Sequence, residues 1–172
     1  AYLMKKNRVD VVNGFGRIAG VGKVSVAGSD GSETSHAARN IIVATGSAPR
    51  SLPGIEIDHK TILSSDSILE LAEVPKSLLV IGSGAVGVEF ASMYSRFGCK
   101  ATILEVLPRI VPVEDEDISR ELAASFKRQG MTVYVDARVE RVTRTEGGVE
   151  VLARTSGEKT ETMRAEKVLL AV

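Results

Sequence analysis

The residues of this chain with the clearest chemistry are three glycines and an acid. Gly82-Ser83-Gly84-Ala85-Val86-Gly87 has the spacing G-x-G-x-x-G, and Glu105 ends the next apolar run, about twenty residues further on. A glycine triplet alone is a weak signal. Here it follows Leu78-Leu79-Val80-Ile81, which reads as a strand buried on both faces. It precedes Val86, Phe90, Met93 and Phe97, apolar residues at helical spacing, with Gly98 as the helix stop. Each glycine then has a task. Gly82 permits a tight turn, Gly84 lets the backbone approach a pyrophosphate, and Gly87 lets the helix lie close to the strand. The free N–H groups at the helix start hold phosphate, and the Glu105 carboxylate accepts from both hydroxyls of a ribose. A 2′-phosphate would meet that carboxylate at close range, so the expected ligand is NAD rather than NADP.

The elements that must position these residues alternate from residue 76 onward. Strand Leu78–Ile81 and its helix lead to strand Ala101–Leu104, then to a helix with Ile118, Leu122 and Phe126 on one face ending at Gly130, then to strand Met131–Val135. That order argues for a parallel sheet with helices packed on it. Short strands follow at Arg138–Thr143, Val149–Ala153 and Glu161–Arg164, separated by Gly147-Gly148 and Ser156-Gly157. Lys167–Val172 closes the chain as another buried strand. Before the break at Val74-Pro75-Lys76 the chain reads as β-rich. Val9–Val12 alternates partly, Lys23–Ala27 alternates with period two before the turn-rich Gly28–Ser32, and Asn40–Ala44 is a continuous apolar run ended by Thr45-Gly46. A short helix is expected through Ser67–Leu71. The string Gly14–Gly20 tempts a second phosphate-loop reading, but it has one residue too many and no amphipathic helix after it, so it reads as a strand-to-strand turn.

Composition narrows the class. The 172 residues are 44% hydrophobic and 26% charged, with 22 basic and 22 acidic side chains in balance. This is a globular composition with no electrostatic reason to seek nucleic acid or an anionic membrane. No apolar run reaches the length of a membrane span, and the expected compartment is a reducing, cytoplasmic one. The single cysteine, Cys99, excludes a disulfide framework and a cysteine metal site within the chain; it reads as a small buried hydrophobe. No metal site is expected. His36 and His59 read as surface or turn residues, and Lys5-Lys6, Arg138, Arg141 and Arg144 as solvated faces. Arg109, four residues beyond Glu105, is a lesser candidate for the adenine end.

With these pieces placed, the chain resembles the dihydrolipoamide dehydrogenases of the pyridine nucleotide-disulfide oxidoreductase family. Ile41-Ile42-Val43-Ala44-Thr45-Gly46-Ser47-Ala48-Pro49 is similar to the family's A-T-G-S-x-P segment near the flavin. Val80 to Ala91 resembles its NAD fingerprint, including Glu89 after the third glycine, and Thr102-Ile103-Leu104-Glu105 its ribose-binding strand end. The resemblance implies residues 1–73 as an incomplete C-terminal part of an FAD-binding domain. It implies residues 74–172 as a nearly complete NAD-binding domain, a Rossmann-like sheet with an inserted β-meander, cut at its last strand. It implies NAD contacts at Gly82, Gly84, Val86, Gly87, Glu89, Glu105 and the backbone of Val139, and places Thr45 and Gly46 near FAD. Val86 and Glu89 would lie beside the nicotinamide.

The family's FAD fingerprint, redox C-x-x-x-x-C and C-terminal His–Glu pair are not in these residues, so no catalytic residue is expected within them. The function expected is a piece of a dihydrolipoamide:NAD oxidoreductase that supplies the NAD site, inactive by itself. Its intact parent would be a homodimer serving dihydrolipoamide or a lipoyl domain. The alternatives are an NAD-binding module without turnover and another flavoprotein disulfide reductase or NADH oxidase. Ile41–Ala44 and Val168–Val172 are expected to present unpaired edges or apolar faces, and the chain therefore to self-associate.

Overall fold

The computed structural model describes residues 2–157 and 159–172. The chain divides into two compact units, Ala1–Ser47 and Ala48–Val172.

In the first unit a short helix, α1 (Tyr2–Lys6), precedes an antiparallel meander of β1 (Phe15–Gly20), β2 (Lys23–Ala27) and β3 (Glu33–Ala37), in the order β1-β2-β3. The string expected to be a strand-to-strand turn is instead strand from Phe15 to Gly20, and the turn into β2 is Val21-Gly22, with Gly20 and Gly22 both at positive φ. Ser25 is the only buried residue among the described residues of this unit. Two expectations fail here. Val9–Val12 forms no strand, and Ile41–Ala44 is neither strand nor buried: Ile42 and Val43 face solvent. A run apolar on both faces needs a layer on each side, and among the described residues of this unit no strand lies beside it.

The second unit is built on a five-stranded, all-parallel sheet. Its strands are β4 (Ile62–Leu63), β5 (Ser77–Ile81), β6 (Lys100–Leu104), β7 (Thr132–Tyr134) and β11 (Lys167–Leu170), in the order β4-β11-β5-β6-β7. Helices α2 (Ala85–Arg96) and α3 (Glu116–Arg128) make the crossovers from β5 to β6 and from β6 to β7. Between β7 and β11 the chain makes an antiparallel meander, β8 (Arg138–Thr145), β9 (Gly148–Thr155) and β10 (Lys159–Ala165). A 3₁₀ turn at Ser67–Glu70 stands where the short helix was expected.

Alternation along β5 explains why it is apolar throughout. Leu78 and Val80 join the core that includes Val88, Ala91 and Tyr94 of α2 and Phe126 of α3, whereas Leu79 and Ile81 join Val149, Val151 and Ala153 of β9. Both faces of the sheet are covered, one by helices and one by the meander, and each fully buried aliphatic side chain contributes about 1.5–3 kcal/mol. β11 lies between β4 and β5 and so is paired on both sides, which corrects the expectation of an unpaired edge at Val168–Val172.

Two helix faces differ from the periodic reading. On α2 the buried residues are Gly87, Val88, Ala91 and Tyr94; Phe90 and Met93 flank them, and Val86 and Phe97 are exposed. Small residues take the contact line because the helix lies so close to the sheet. On α3 Ile118 is exposed and Ser119 buried, since the Ser119 hydroxyl donates to the Ile110 carbonyl.

Candidate functional site

The sheet reverses its winding direction beside β5. The chain leaves β5 for β6 on one side, while β11 returns on the other. In open α/β sheets ligands bind at the carboxyl ends of the strands flanking such a point, and the glycine turn stands there. Gly82, at φ +100°, takes a conformation that L side chains rarely adopt, and an added Cβ would collide with the Ala171 carbonyl. A Cβ on Gly87 would collide with the Gly82 carbonyl, so this glycine sets the helix–strand distance. A Cβ on Gly84 would meet nothing within 4 Å; the space above it is open, as a phosphate-bearing ligand requires.

The two helix starts differ in a telling way. α3 is capped by Asp115, whose side chain accepts from Asp117 N, and has Glu116 and Asp117 in its first turn. α2 begins at Gly84 with no side-chain cap and no acid in its first turn. Its first N–H groups and the positive end of its dipole are left for an anionic ligand.

Glu105, at the end of β6, is 5% exposed. Its Oε2 accepts from Ser83 N at 2.8 Å and from Ser83 Oγ at 2.6 Å, and its Oε1 from Leu107 N at 2.9 Å. These donors tie the carboxylate to the glycine turn. Gly82, Ser83, Gly84 and Glu105 line one cleft of about 450 Å³, together with Arg138 and Val139 at the start of the meander. Val86 instead lines a neighbouring hollow with Gly84, Pro49 and Arg50. Glu89 is exposed on α2 and lines neither. Thr45 and Gly46 are exposed residues of the first unit, outside any strand or helix.

Ser83 and the Leu107 amide are the site components that glycine and acid spacing did not single out. A small polar residue between the first two glycines was the available signal for Ser83. Arg138, read as simply solvated, is exposed but borders the cleft. Arg144, also read as solvated, pairs with Asp58 at 2.7 Å. Arg109 does not line the cleft; its Nη2 donates to the Pro112 carbonyl at 3.0 Å within its own loop. His36 is exposed on β3 beside Thr34, and His59 is exposed at φ +58° in the loop that Asp58 organises. Cys99 is buried in the helix-side core, where burial and the nearby Glu166 push its thiol up to about 11. Among the described residues no helix is long and apolar enough to cross a membrane.

Comparison with known proteins agrees with this fold. The chain is 44% identical over 172 residues to the dihydrolipoyl dehydrogenase of Chlorobaculum tepidum, covering 100% of this chain and 37% of that protein. It is 42% identical to dihydrolipoyl dehydrogenase 3 of Pseudomonas putida, covering 99% of this chain and 37% of the relative. Among solved structures, LpdA from Mycobacterium tuberculosis is similar with a TM-score of 0.82 at 30% identity, over 99% of this chain and 38% of that one. The HOCl-induced flavoprotein disulfide reductase RclA from Escherichia coli is similar with a TM-score of 0.76 at 29% identity, over 99% and 39%. The chain thus spans little more than a third of the length of these relatives. The family description "pyridine nucleotide-disulphide oxidoreductase" matches residues 1–172, and the chain belongs to that family.

Proposed function

We propose that this chain supplies the NAD-binding site of an FAD-dependent dihydrolipoamide:NAD oxidoreductase. Residues 74–172 act as its NAD-binding domain and residues 1–73 as the closing part of its FAD-binding domain. The observation that carries this reading is the meeting, in one cleft, of an uncapped helix N-terminus and a buried carboxylate. The names of the relatives, dihydrolipoyl dehydrogenases, support the substrate class, and the resemblance supports a homodimer that serves a lipoyl domain.

The residues fit the dinucleotide. Gly84 leaves room for a pyrophosphate against the first N–H groups of α2, Glu105 takes the adenosine ribose, and the Val139 backbone borders the adenine. Val86 and Glu89 lie toward the nicotinamide, and Thr45 and Gly46 belong to the flavin side. NAD supplies the hydride acceptor and FAD the donor; the protein binds and orients them. Turnover by these residues alone is not part of the proposal. A single cysteine cannot form the redox pair, and Cys99 is locked in the core as a thiol.

Titration calorimetry of the 172-residue chain with NAD and NADP tests this. Charge-assisted hydrogen bonds contribute on the order of 1.5–3 kcal/mol, so NAD binds at least about tenfold tighter than NADP. Glu105→Ala narrows the gap by weakening NAD. Equal affinities for the two nucleotides in the wild-type chain would remove Glu105 from the ribose and overturn the reading.

A further inference from the structure

Glu105 is more fully engaged than a ribose-binding acid needs to be. An ionised carboxylate offers about four lone-pair sites. Ser83 fills both sites on Oε2, with its amide at 2.8 Å and its hydroxyl at 2.6 Å, and the Leu107 amide fills one on Oε1 at 2.9 Å. Among the described residues no donor reaches the second site on Oε1. Ser83 is itself enclosed. It is 0% exposed, and its carbonyl accepts from Val111 N at 2.9 Å. Val111 sits at φ +41°, an uncommon conformation for a β-branched residue that its surroundings must enforce. Amide, hydroxyl and carbonyl of Ser83 thus all hold the loop after β6 against the glycine turn.

We infer that Ser83 is the positioning residue of the nucleotide site: it occupies Oε2 of Glu105, so that the carboxylate presents a single acceptor, on Oε1, to one hydroxyl of the adenosine ribose. This rests on the NAD reading and refines it. Recognition of both ribose hydroxyls, expected from the sequence, becomes recognition of one. The Ser83 hydroxyl, not the size of the cleft, decides that asymmetry.

The probes are NAD and its two analogues lacking either the 2′- or the 3′-hydroxyl of the adenosine ribose, titrated against the 172-residue chain. In the wild type one deletion weakens binding roughly tenfold, as for a lost charge-assisted bond, and the other changes it less than about threefold. In Ser83→Ala the vacated site on Oε2 accepts the second hydroxyl, and the two deletions become comparable. Ser83→Cys, which keeps a weak donor of similar size, falls between, and remains informative if the alanine variant does not fold.

Equal losses for both deletions in the wild type overturn the proposal, as does an asymmetry unchanged in both variants. Glu105→Ala separates this from the parent reading. If it leaves NAD binding intact, the NAD site itself is wrong. If it weakens NAD while the Ser83 variants keep the wild-type asymmetry, only the role of Ser83 falls.

Discussion

The two units of this chain use the same material and reach opposite outcomes. The first unit has three antiparallel strands and several large apolar residues, yet Phe15, on β1, is 79% exposed and Ser25 alone is buried among its described residues. The second unit buries aliphatic side chains on both faces of its sheet. Strand pairing satisfies backbone groups in either unit; what separates them is a second layer. A sheet or helix must bury its apolar face against another element, and three strands without one have little to hold them beyond their ladder hydrogen bonds. The candidate site belongs to the unit with the layers, where a carboxylate can be held in one geometry.

The difference is sharpest in core substitutions. Ile103, fully buried on β6, should lose about 2–5 kcal/mol of stability on change to alanine. Phe15→Ala, which removes a larger side chain, should stay within about 0.5 kcal/mol because that ring is already in water. Urea denaturation of both variants checks this, and a large cost at Phe15 would mean that the first unit has a core of its own.

Glycines give the next contrast. Gly87→Ala forces a methyl group into the Gly82 carbonyl and should cost about 1–3 kcal/mol through overpacking. Gly84→Ala meets no protein atom within 4 Å, so stability should fall by about 1 kcal/mol or less while NAD affinity drops. Thermal melts paired with NAD titration separate the two. Equal stability losses would show that only packing explains this glycine string.

Smaller still is the contrast between two aspartates. Asp58 Oδ1 accepts from the amides of Lys60, Thr61 and Ile62, and Oδ2 pairs with Arg144. Burial acts to raise its pKa, but the three amides and the Arg144 charge outweigh it and hold the carboxyl below its ordinary 3.8. A lowered native value contributes stability that is present above 3.8 and is lost as pH falls through the native value. Asp58→Asn should cost about 1–2 kcal/mol at neutral pH and flatten the acid limb of the stability profile. Asp30 caps a turn in the first unit through the Ser32 hydroxyl and amide, which also lower its pKa; it is fully exposed, and Asp30→Asn should leave the denaturation midpoint unmoved. Matching acid limbs for the two variants would contradict the distinction.

The second unit was legible in the sequence because its signals are local and mutually consistent. The apolar run Leu78–Ile81, the glycine turn, the acid at the end of β6 and the Gly98 stop each specify a backbone geometry that the neighbouring element requires. What the sequence left hidden was set by tertiary distance. The buried stripe of α2 runs through Gly87 and Ala91 because the helix sits close to the sheet, and spacing of large apolar residues cannot report that closeness. Ile41–Ala44 shows the opposite limit: continuous hydrophobicity states that a segment can be buried on both faces, and says nothing about whether covering layers lie beside it. Ser83 escaped notice because its role depends on the side chain across from it at Glu105.

The most direct test of the account follows backbone amide resonances of the isotope-labelled chain during titration with NAD. Shifts should concentrate at Gly82 to Gly87, at Glu105 and Val106, and at Arg138 and Val139, while β1 to β3 and the Thr145–Gly148 turn stay where they are. Shifts centred on the β-meander of the first unit, or none at the glycine turn at saturating NAD, would contradict it.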